Sequence, residues 1–73
     1  MAKQLLFRKT LVHARDVRSF AVEASSSGWQ VSERDGDRFV QLQRFTDWHR
    51  VERKMTHFLR DISHLRNQGW IEA

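Results

Sequence analysis

Three observations predict an α+β fold with the order β-α-β-β-α-β for this chain. Gly28-Trp29 and Gly69-Trp70 each follow a helix-like segment and precede a short extended one. Asp35-Gly36 separates two alternating segments, the signal of a tight hairpin. Trp48, Val51, Met55, Phe58, Ile62 and Leu65 recur at spacings of three and four, the stripe of an amphipathic helix.

The elements follow in order. Residues 4–12 read as a strand, with Leu5, Phe7 and Leu11 on one side and Leu6 and Val12 on the other, which suits a central position. Residues 14–27 read as a helix. Val17, Phe20, Ala21 and Ala24 fall at i, i+3, i+4 and i+7, Asp16 stands at its start, and Gly28 is its C′ residue. Residues 29–34 form the next strand, with Trp29 and Val31 on one face. Residues 38–45 form the return strand, with Val40 and Leu42 on one face and Phe39, Gln41, Gln43 and Phe45 on the other. Thr46 caps the second helix and Asp47 sits just inside it. That helix runs to about Gln68, Gly69 closes it, and Trp70–Ala73 supply a short final strand. The order is that of the ferredoxin-like split β-α-β fold, with two helices on one face of an antiparallel sheet. The alternative is a β-α-β-β-α form with the last four residues as a tail.

With 73 residues, the expectation is one domain spanning 1–73. The absence of Cys excludes a disulfide scaffold, a Cys-based zinc site and a thiol nucleophile. The longest apolar run is Leu5-Leu6-Phe7, so neither a membrane span nor a signal peptide is expected, and the cytoplasm is the default location. The net charge is +4 and the pI is near 10.7. Ten of the 13 basic residues are Arg. Arg carries a planar fork of donors that matches phosphate or carboxylate in two bonds. Residues 1–36 hold six basic and four acidic residues, and 37–73 hold seven and five. Each half is therefore +2, and any basic patch must be assembled by folding.

Signals for catalysis are weak. Ser25-Ser26-Ser27 lacks the Gly-x-Ser-x-Gly elbow of a nucleophile, and three Gly are too few for a phosphate-binding loop. The four His contain no His-x-x-x-His pair, so no metal and no cofactor are expected. The strongest pattern is on the second helix. Arg50, Arg53, His57, Arg60 and His64 repeat the 3-4 spacing on the side opposite the apolar stripe, with no acid in the row. Such a row is suited to tracking a phosphate backbone. The plainer interpretation is a solvated face in which Asp61 pairs with His57 or His64.

The sheet offers a second surface. If Val40 and Leu42 meet the helices, Phe39, Gln41, Gln43 and Phe45 lie on an open face beside Phe7 and Leu5. That face would be an interface between two copies, since so small a chain buries only about 60% of its unfolded surface alone. Its other use would be to stack nucleobases. The three Trp, each at a helix boundary, are expected to close the ends of the core.

The sequence therefore points to a small non-catalytic binding or regulatory protein, a homodimer without membrane contact, engaging DNA or RNA phosphates through the Arg/His row. The alternative is an adaptor or inhibitor docking on an acidic protein surface through its open sheet face or second helix.

Overall fold

The computed structural model describes residues 4–73. They form strands β1 (Gln4–His13), β2 (Asp16–Ser25), β3 (Gly28–Asp35) and β4 (Arg38–Phe45), helix α1 (Trp48–Asn67) and strand β5 (Ile71–Glu72). All pairings are antiparallel, in the order β4-β3-β2-β1-β5.

This is not the ferredoxin-like β-α-β-β-α-β arrangement expected from the sequence. The segment expected to form the first helix is strand β2. Its Val17, Phe20, Ala21 and Ala24 have helical spacing, but Arg18, Phe20, Val22 and Ala24 alternate equally well. Pairing decides between the two periods. As a strand, the segment hydrogen-bonds to β1 and β3 on its two edges and buries Phe20 and Val22 completely. The β-branched Val17 and Val22 favour the same outcome.

Turns of two residues join the four long strands: Ala14-Arg15, Ser26-Ser27 and Gly36-Asp37. The first carries Ala14 at a φ of 53°, a conformation that non-Gly residues adopt rarely. Gly28, expected as a helix C′ residue, instead opens β3. Its φ is 138°, and a Cβ there would lie 2.4 Å from the carbonyl oxygen of Phe45. The backbone of β4 thus approaches as closely as a glycine permits.

Register assigns each side chain to a face. Phe20 stands opposite Lys9 and Glu33, and Val22 opposite Phe7 and Val31. These positions, with Leu11, face α1, whose Val51, Phe58, Ile62 and Leu65 complete the buried cluster. At its centre the Phe20 and Phe58 rings lie 5.0 Å apart in a tilted arrangement. Both outer long strands carry a bulge. In β1 the pairing steps from Leu5 to Phe7 and leaves out Leu6. In β4 it steps from Gln41 to Phe39 and leaves out Val40. Each bulge switches the face taken by the residues beyond it.

Helix α1 begins one residue later than expected. Asp47, not Thr46, is the N-cap, and its carboxylate accepts from the His49 N–H at 3.0 Å. The last turn closes as a Schellman motif: the Gly69 N–H donates to the Arg66 carbonyl at 3.1 Å and the Trp70 N–H to Leu65 at 3.0 Å. The residues after it form a strand, not a tail. Ile71 and Glu72 pair with Val12 and Leu11, and Lys9 Nζ holds Glu72 at 2.9 Å. Trp29 and Trp70 pack against the core as expected, while Trp48 is exposed. Trp29 packs on Trp48 at one end of α1, and Trp70 stacks on His13 at the other. No helix among the described residues is long and apolar enough to cross a membrane.

Candidate nucleic-acid interface

The residues of the expected helix row lie on α1, turned away from the sheet. Arg50, Arg53, His57, Arg60 and His64 are all exposed, while Val51, Phe58, Ile62 and Leu65 of the same helix are buried. A straight α-helix rises about 1.5 Å per residue, so the row extends over about 21 Å. Asp61 makes no ion pair with His57 or His64; the ion pairs among the described residues are Lys9–Glu72, Arg18–Glu33 and His49–Glu52. Counted by sequence, α1 carries five Lys or Arg and two Asp or Glu, a net +3.

The expected open-face set does not stay together. Phe7 and Phe45 pack against the core beneath α1. Gln43 and Gln41 pair with Val31 and Glu33, so they share the α1 side, although on the outermost strand they remain exposed. Phe39 lies on the uncovered side, opposite Arg34, and so does Leu5, opposite Glu23. Val40 and Leu42 do not meet the helix either; both are exposed. The physical reason is the Val40 bulge. Phe39 and Phe45 have the same parity along the chain, but the extra residue between them sends their rings to opposite faces.

The uncovered side has a composition of its own. Its middle is floored by short side chains, Ser19, Ala21 and Ser32, and forms a shallow depression of about 210 Å³. Arg8 and Arg34 stand over it. Arg44 lies on the same side, one position beyond the core-facing Phe45. Sequence reasoning missed these arginines as a group. They belong to β1, β3 and β4, and only the register of a meander places them on one face. The alternation Gln30, Ser32, Arg34 in β3 was the legible trace of it.

Charge is sorted between the two sides. Glu33, buried on the α1 side, is held by the Arg18 guanidinium. That cation also lies 5.8 Å from the centre of the Phe20 ring. Glu23 is the one carboxylate within strand β2 or β3 on the uncovered side.

The histidines stay apart. His13 stacks on Trp70, His49 contacts Glu52, and His57 and His64 stand two turns apart on α1. Among the described residues no three His, Asp or Glu side chains converge as metal ligands would. Ser25 and Ser27 share a contact at 3.3 Å in the β2–β3 turn, and the Ser25 hydroxyl donates to the Gly28 carbonyl. The serine cluster thus shapes a turn. In comparisons with known proteins, the chain matches no family model, no curated protein and no solved structure.

Proposed function

We propose that this chain is a non-catalytic nucleic-acid-binding protein of the cytoplasm that engages phosphates through the outer side of α1. The observation that carries the reading is the row Arg50, Arg53, His57, Arg60 and His64: every member is exposed, and no carboxylate pairs with any of them among the described residues. The guanidinium groups of Arg50, Arg53 and Arg60, without ion-pair partners among the described residues, keep their full charge for a ligand. Anchored by a helix whose other side is buried, they hold a fixed spacing. Association with a polyanion releases its counterions, so affinity must fall as salt rises.

The test is a salt titration of binding to mixed-sequence duplex and single-stranded oligonucleotides. The expected log–log slope is several units, lowered by about 0.7 to 0.9 for each phosphate contact removed. Arg53→Glu with Arg60→Glu should abolish binding through the row while circular dichroism shows an intact fold. No binding at low salt would refute the reading and leave an acidic protein surface as the partner to test.

A further inference from the structure

The side of the sheet that α1 leaves uncovered is a second basic surface, and its chemistry differs from that of the helix. We propose that it is a platform for single-stranded nucleic acid, on which Arg8, Arg34 and Arg44 hold phosphates and Phe39 stacks a base. The proposal rests on the nucleic-acid reading above and names the kind of nucleic acid.

Charge is the first argument. Three guanidinium groups from three strands share this side, and none of them is ion-paired among the described residues. A single carboxylate, Glu23, stands among them. A polyanion complements such a surface. A second copy of this chain does not, because face-to-face pairing would bring six guanidinium groups together against two carboxylates.

Shape is the second. Ser19, Ala21 and Ser32 are short enough to leave a trough, and the arginines rise around it. The four long strands lie about 4.8 Å apart, so the platform is about 14 Å wide before side chains are added. That exceeds the roughly 12 Å width of the DNA major groove, which admits a helix or a two-stranded ribbon. The face therefore has no route to the bases of a duplex.

The third is an aromatic ring where a base would need one. Phe39 is 49% exposed, and the Arg34 guanidinium lies 4.2 Å from its ring centre. The ring and the guanidinium plane are both stacking surfaces, and unpaired bases are what such surfaces recognise. The helix row has no Phe, Tyr or Trp; its rings are the imidazoles of His57 and His64.

The experiment is fluorescence anisotropy on the intact chain with a mixed-sequence single-stranded 20-mer and its duplex, at fixed salt. The single strand should bind at least about tenfold more tightly than the duplex. Phe39→Ala should weaken single-strand binding about tenfold, the loss of one stacked base, and leave duplex binding unchanged. Arg34→Glu with Arg44→Glu should remove the preference and bring single-strand affinity down to that of the duplex. Glu23→Gln should strengthen it, an effect that damage to the fold would not produce. If the sheet variants leave single-strand binding intact while Arg53→Glu with Arg60→Glu removes it, this proposal falls and the helix reading stands. If the reverse holds, the platform stands and the helix reading falls. Binding to neither oligonucleotide overturns both. A dimer in sedimentation that Phe39→Ala converts to monomers would show a second copy on this face and overturn the proposal.

Discussion

Strand β2 shows two different proteins on its two sides. Toward α1 it presents Phe20 and Val22, both wholly buried. Away from α1 it presents Ser19, Ala21 and Glu23. The contrast extends across the sheet: Leu11 and Val31 on the covered side, Arg8, Ser32 and Arg34 on the other. Wholly buried apolar side chains are confined to the helix side; the large apolar residues of the other side, Leu5, Phe39 and Leu42, are about half exposed. A sheet whose second side was meant to be buried as well would carry near-continuous apolar runs. This one carries a floor of short side chains, long cations and a few isolated apolar residues, Leu5, Phe39 and Leu42. Stability is concentrated on one side, which leaves the other free to vary in charge.

The contrast is open to direct attack, beginning on the covered side. Phe20→Ala removes a ring from the centre of the core and should cost about 3–5 kcal/mol, much of the stability of a small domain. The expected result is loss of a cooperative thermal transition by circular dichroism; a normal melt would show that the two sides are not so unequal. Glu33→Ala leaves Arg18 without its partner next to the core. A cost of about 2 kcal/mol should lower the midpoint of thermal unfolding by about 10 °C. Asp47→Ala removes the N-cap of α1 and should cost about 1 kcal/mol, read as a shift of about 4–8 °C. Arg44→Ala, on the uncovered side, should change stability by less than about 0.5 kcal/mol in a urea titration. A larger loss there would mean that the uncovered side supports the fold after all.

Strands β1, β3, β4 and β5 and helix α1 were legible in the sequence as elements, and β2 was not. The six apolar residues from Trp48 to Leu65 announce α1 because no strand period fits them, and Asp35-Gly36 announces the β3–β4 hairpin. The two earlier hairpins carry no comparable signal. Ala14 adopts positive φ without being Gly or Asn, and Ser26-Ser27 before Gly28 imitates a helix end. With β2 misread, the parity of its neighbours was lost too. The same division applies to the surfaces. Residues at i, i+3 and i+7 of one helix are neighbours whatever else the chain does, so the Arg/His row was visible from spacing. Arg8, Arg34 and Arg44 become neighbours only through long-range pairing, and the Val40 bulge that turns Phe39 toward them leaves no mark in the alternation.

The two bulges also bear on how the protein behaves in a crowd. Unpaired sheet edges are templates on which further strands assemble, and unchecked assembly ends in aggregates. Here the inner ladder between β2 and β3 is regular over its whole length, and the irregularities fall on the outer strands. Leu6 and Val40, the residues left out of register, are exposed apolar side chains on those strands. A kinked edge offers an incoming strand a few hydrogen bonds and then a mismatch, with Arg8, Arg38 and Arg44 adding repulsion between copies. Deleting Val40 would straighten that edge and reverse the facing of the strand before it. One lost residue would then cost the sheet both its arrangement of charge and its resistance to growth.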